Sequence, residues 1–279
     1  MSMISRFSSL LPMSTAKTTV LVLHGYSQNA SIFSKRLGAL RKQCGKNVDF
    51  VFVDGPHILQ PVDLVGMASP SASAEATLSA LGASEAGVEK NEARAWWKWN
   101  EHKSEPLGLP ESLETIRDVL KTRTFQGVFG FSQGATFAAL LCALLERPHV
   151  YPPFLVDGKA PHPPFKFCVS VSGFRLTGTI PDAIYEAPFL TPTLHIIGRN
   201  DVIIIEERSH RLVAISANAR VEEHDGGHFV PSKGSWRKFL AAYLEDPSDD
   251  IPSPSLAMSS ANNSGTATPM ESETPQMKL

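Results

Sequence analysis

Five short apolar runs and a more polar sixth recur along this chain, and helical patterns fall between them. The runs are TTVLVL (Thr18 to Leu23), VDFVFV (Val48 to Val53), GVFGF (Gly127 to Phe131), FKFCVSVSG (Phe165 to Gly173), TLHIIG (Thr193 to Gly198) and ARVEEH (Ala219 to His224). NASIFSKRLGALRKQ follows the first run, ATFAALLCALLE the third, residues 202–216 the fifth and GSWRKFLAAYLE the sixth. LPESLETIRDVLKT sets Leu113, Ile116, Val119 and Leu120 on one helical face. Strands that are apolar on both faces must be covered on both sides. Alternation with helices therefore predicts an α/β architecture, a mostly parallel, doubly wound sheet. One domain over residues 17–246 accounts for every run, with no large separate lid domain.

Two stretches interrupt the rhythm. Residues 61–93 are rich in Ala and Ser and carry no strand pattern. Residues 148–164 hold Pro152, Pro153, Pro161, Pro163 and Pro164 and read as a proline-stiffened loop. Residues 247–279 are rich in Ser, Pro and Thr, too poor in apolar side chains to offset the entropy of ordering, and are expected to be a disordered tail. Residues 1–16 read as a flexible N-terminal segment. Arg6, several serines and the lack of acids give them a faint mitochondrial-presequence character, an alternative to a cytoplasmic location. Cys44, Cys142 and Cys168 are an odd, scattered set with no CxxC spacing, which favours reduced thiols in an intracellular compartment. A net charge of −2 offers no electrostatic footprint for nucleic acid, and no apolar run is long enough for a membrane span.

Within GVFGFSQGA a lone serine lies between glycines, where a predicted strand turns at once into a predicted helix. Such a turn forces the central residue into strained backbone, and the flanking glycines let strand and helix pass closely. The hydroxyl of Ser132 then stands at the C-terminal rim of the sheet, at a helix N-terminus that favours a developing anion. This is the G-x-S-x-G nucleophile-elbow pattern. A structural turn serine is the competing reading.

A serine nucleophile needs a base, and the base needs an orienting carboxylate. Asp201 lies just past the run ending at Gly198, where a helix N-cap is its alternative role; Asp157 and Asp182 have no strand end beside them. His228 follows two glycines after the last run, and His224 is the other candidate there. The remaining histidines show no metal-ligand spacing, so no metal and no cofactor is expected. For the oxyanion, the backbone N–H of Gln133 and that of Tyr26, in the loop after the first run, are the candidate donors.

The set LHGYSQNASIF, VDGP, ARAWWKWN, GFSQGA and GGHFVP, in this order, resembles the FSH-type family of serine hydrolases, which includes a human ovarian-cancer-associated relative. The likeness runs from about Val20 to Leu244. It implies an α/β-hydrolase fold, hydrolysis of a small-molecule carboxylic ester or thioester, a cytoplasmic enzyme, and a triad on Ser132, Asp201 and His228. An acyl carrier protein is an implied thioester partner, since some family members release polyketide chains from one. A non-catalytic binding protein on the same scaffold is a further alternative. The family places the segment holding Trp96, Trp97 and Trp99 near the substrate mouth, as an aromatic wall for an acyl chain, with Trp96 and Trp97 the candidate substrate-binding residues; a core or loop-anchoring role competes equally. The stretch before residue 93 departs from the family pattern and bears on the mouth's shape.

Overall fold

The computed structural model describes residues 17–60, 62–63, 93–247 and 251–254. Its centre is a sheet of six parallel strands: β1 (Thr18–Leu23), β2 (Val48–Val53), β7 (Gly127–Phe131), β8 (Phe167–Val171), β9 (Thr193–Gly198) and β10 (Ala219–His224). Short pairs flank it in the chain between β2 and β7: β3 (His57–Ile58) with β4 (Arg94–Ala95), and β5 (Lys98–Trp99) with β6 (Pro106–Leu107). The main order is β10-β9-β8-β7-β1-β2. From β1 the chain steps outward to β2, then returns to place β7 on the other side of β1. The β1/β7 boundary is thus the topological switch point, where the loops at the strand C-termini diverge and leave a crevice.

Strand alternation sorts the core into two layers. Leu21, Leu23, Val128 and Cys168 face one side, against α3 (Leu109–Thr122) and α4 (Gln133–Glu146). Val20, Val22, Phe129, Val169 and Ile196 face the other, against α1 (Ala30–Arg36), α2 (Gly38–Cys44) and α7 (Gly234–Glu245). α4 is buried around nearly its whole circumference, which explains why its sequence is apolar without a polar stripe.

Several details differ from the sequence reading. The helix expected over residues 29–43 is two helices meeting at Leu37, just before Gly38, whose lack of a side chain weakens helix continuity. The helix expected from 202 begins at Glu206 as α6 (Glu206–Val213). A further helix, α5 (Thr179–Ile184), and the short strand pairs have no periodicity to betray them. The proline-rich loop contains two 3-10 turns, Pro148–Val150 and Pro152–Phe154. The chain also does not leave the domain at 247. The Ile251 carbonyl accepts from Arg220 Nη2 (2.6 Å), the Ser253 hydroxyl donates to Glu222 Oε2 (2.6 Å), and Ile251 packs on the α7 side of the core. The readings for residues 1–16, for most of 61–93 and for the chain beyond 254 lie outside the described residues. Among the described residues no helix is long and apolar enough to cross a membrane.

Candidate active site

Ser132 follows β7 directly with φ 53° and ψ −117°, a region that L-residues rarely adopt. Its N–H is tied to the Val171 carbonyl of β8 (2.8 Å), and its own carbonyl starts α4 by accepting from Ala135 and Thr136. The flanking glycines are sterically required. A Cβ on Gly130 would lie 2.3 Å from the Gly134 carbonyl oxygen, and one on Gly134 would lie 2.2 Å from the Leu23 carbonyl oxygen. The turn is therefore held against both neighbouring strands, with Gly25 of the β1 loop close to the Ser132 Cβ.

Asp201 and His228 come from the ends of β9 and β10. The two loops are stitched at the backbone: Arg199 N–H to the His224 carbonyl (2.9 Å) and Asn200 N–H to the Gly226 carbonyl (3.1 Å). The Asn200 side chain adds a bond to the Asp225 carbonyl. Gly198 permits this approach, since a Cβ there would lie 2.6 Å from the Gly227 oxygen. His228 Nδ1 is 2.7 Å from Asp201 Oδ2, and His228 Nε2 is 2.9 Å from Ser132 Oγ. The carboxylate fixes the tautomer: Nδ1–H donates to Asp201, so Nε2 is free to accept from the serine hydroxyl. Asp201 Oδ1 accepts from the Ile203 and Ile204 N–H groups. Burial pushes the Asp201 carboxyl up, but the hydrogen bond and charge of His228 and the Ile204 N–H outweigh it and hold it below the usual range.

His224, the competing histidine, is turned elsewhere. Its Nδ1 accepts from Gly226 N–H, and its ring packs on Phe229 and Trp236. Asp182 pairs with Arg175 at the surface, and Asp157 sits in a tight turn at φ 49°. The described residues that bring three ligating groups together are Glu206, His210 and Glu223, at the surface, where His210 already contacts Glu206.

Tyr26 and Gln133 both line the cleft at Ser132. The N–H of Gln133 opens α4, where helix geometry provides no internal acceptor. The peptide carrying the Tyr26 N–H is fixed from behind by His24, which no sequence pattern marks out from the other histidines. Its Nδ1 donates to the Gly25 carbonyl (2.8 Å) and its Nε2 accepts from Gly55 N–H (2.9 Å). Full burial depresses its pKa to about 4 despite the Gly25 bond, so the ring is neutral in this double role.

The tryptophans require a correction. Trp96 and Trp97 do not line the cleft; both are fully buried, and Trp99 is the one at its wall. The Gln133 side chain clamps their backbone, accepting from Trp96 N–H (2.8 Å) and donating to the Trp97 carbonyl (2.8 Å). Trp96 Nε1 donates to the His24 carbonyl, and the Trp97 ring stands edge-on to Trp99 and Phe174. They brace the wall from behind because their rings turn inward, against Phe137 of α4.

Fold and site together define the class: an α/β-hydrolase with the chemistry of the serine hydrolases. The family described as Serine hydrolase (FSH1) matches residues 13–240, and the chain belongs to it. Membership makes the protein an enzyme and sets aside the reading of a non-catalytic scaffold. Among its relatives, Esterase OVCA2 of Danio rerio is 34% identical over 244 residues, covering 84% of this chain and 99% of its own length. Esterase CG5412 of Drosophila melanogaster is 32% identical over 241 residues, 83% of this chain and 75% of that protein. Zea mays acyl-protein thioesterase 2 shares the fold, with a TM-score of 0.53 at 19% identity, over 84% of this chain and 97% of that one.

Proposed function

We propose that this serine hydrolase cleaves carboxylic esters through an acyl-enzyme on Ser132. The supporting observation is the unbroken relay Ser132 Oγ, His228, Asp201 at 2.9 and 2.7 Å. His228 Nε2 takes the proton from Ser132 Oγ as the oxygen attacks the ester carbonyl. Asp201 keeps the imidazole oriented and stabilises its cationic form. The backbone N–H groups of Gln133 and Tyr26 receive the oxyanion, each worth about 10²–10³ in rate. His228 then returns the proton to the departing alcohol. Water enters by the same route, gives its proton to His228 and releases the acid. The names of the esterase relatives favour esters; a thioester on an acyl carrier protein or on coenzyme A is the alternative, because a thiol leaves from the same tetrahedral intermediate. The three buried free thiols favour a cytoplasmic setting.

The test is turnover of aryl esters and of thioester surrogates by the wild type and by Ser132→Ala, with fluorophosphonate labelling read by intact mass. The expected loss in the variant is about 10⁶-fold, with the label absent. A variant that keeps most of its turnover defeats the assignment, and faster thioester turnover in the wild type selects the alternative.

A further inference from the structure

The cleft beside Ser132 has a volume of about 80 Å³ and is walled by Tyr26, Trp99, Phe174, Ile203, Ile204 and Arg208. Ser132 and Arg208 line this same small cleft, so a substrate held at both spans it with a short segment. Among the described residues of that wall, Arg208 alone carries a full charge. Its placement is built: from α6 its guanidinium lies 4.3 Å from the centre of the Phe174 ring. The guanidinium carries five N–H donors, and one ring contact does not engage them all.

The Arg208 guanidinium has no carboxylate, carbonyl or hydroxyl acceptor among the described residues. Other arginines contrast with it. Arg147 donates to the Ile184, Ala187 and Pro188 carbonyls, and Arg220 pairs with Glu222 and the Ile251 carbonyl. The nearby carboxylate, Asp201, has one oxygen on His228 and the other on two backbone N–H groups. Burial and the neighbouring Arg211 depress the Arg208 pKa, with Asp201 opposing, which marks a cation short of counter-charge. A planar guanidinium edge matches a carboxylate with two parallel hydrogen bonds.

We infer that the preferred substrate is an ester bearing a carboxylate a few atoms from the scissile carbonyl, gripped by Arg208. The charge belongs either to the acyl part or to the alcohol part. This rests on the reading of Ser132 as nucleophile.

The experiment follows acid release in a pH-stat with the full chain, using two matched pairs. Monomethyl glutarate against methyl pentanoate places the charge on the acyl side, and 4-acetoxybutanoate against butyl acetate places it on the alcohol side. In the wild type the charged member of one pair is expected to exceed its neutral partner in kcat/KM by about 10- to 100-fold. Arg208→Gln brings the charged-to-neutral ratio of kcat/KM to about one, and Arg208→Lys restores part of the preference. Equal turnover of charged and neutral esters in the wild type overturns the inference. So does an equal loss on both in Arg208→Gln, or hydrolysis of none of the four by an enzyme that still labels with fluorophosphonate. Failure to label at Ser132 strikes the nucleophile reading itself, and this inference falls with it.

Discussion

Two side chains show how single residues set the geometry at the sheet rim. Asp201 holds His228 through one oxygen and its own loop through the other. Asp201→Asn keeps an oxygen for the Ile203 and Ile204 N–H groups, so the fold is expected to persist. The amide, however, favours the wrong imidazole tautomer, and kcat is expected to fall about 10⁴-fold, read by steady-state kinetics alongside an unchanged melting temperature. His24 acts one step further back. The Gly25 carbonyl that it pins and the Tyr26 N–H belong to one planar trans peptide, so fixing the first aims the second the opposite way. His24→Ala is expected to lower kcat about 10- to 100-fold while KM changes little, because the oxyanion forms after the substrate binds. An equal loss in both parameters would point to a collapsed cleft instead. The Ser132, Asp201 and His228 candidates were legible because each sits at a strand end in chain order. His24 was not, since its partner Gly55 is 31 residues away and nothing local announces the contact.

At the scale of elements, the junction of β7 and α4 depends on two absent methyl groups. Gly134→Ala would drive a Cβ to within 2.2 Å of the Leu23 oxygen, where only rigid strand backbone can yield. The expected cost is about 1–3 kcal/mol in denaturant unfolding, with activity lost as Ser132 is displaced. Strand limits were legible where strands read as apolar, β-branched or aromatic runs; β1, β2, β7 and β9 begin and end where the sequence placed them, and so does the more polar edge strand β10. The start of α6 was not. Asp201 bonds the N–H groups of Ile203 and Ile204, draws those residues into a turn and leaves Val202 exposed, so the helix waits until Glu206. A propensity pattern cannot register that a side chain has claimed the amides.

For the molecule as a whole, buried histidines couple stability to pH: burial lowers His24, His162, His195 and His224, with the largest shifts at His24 and His195. Burial depresses His24 to about 4; burial, with the charge of His210, depresses His195 to about 3. Both take up a proton more readily in the unfolded chain, where the pKa is 6.5. The unfolded state therefore binds more protons below that value, and stability that is complete above it is lost as pH falls. The expected slope is about 1.4 kcal/mol per pH unit for each histidine between about pH 6 and pH 4.5. Denaturant unfolding across that range checks it, and His195→Leu is expected to lower the slope by the share of one histidine, about 1.4 kcal/mol per pH unit. A flat profile would mean that these rings accept protons without unfolding.

Sequence alone pointed to the α/β architecture, to an elbow at Ser132 and to Asp201 and His228 as its candidate partners. Periodicity, glycine spacing and position relative to a strand end are properties of neighbouring residues. Only the tertiary structure decided that Trp99 rather than Trp96 or Trp97 meets the cleft, that Arg208 stacks on Phe174 beside Ser132, and that residues 251–254 return to β10. Those outcomes turn on which distant backbone occupies the other side of a loop. A side chain's direction is settled by what it can pack against or bond to, and that partner is chosen by the whole fold.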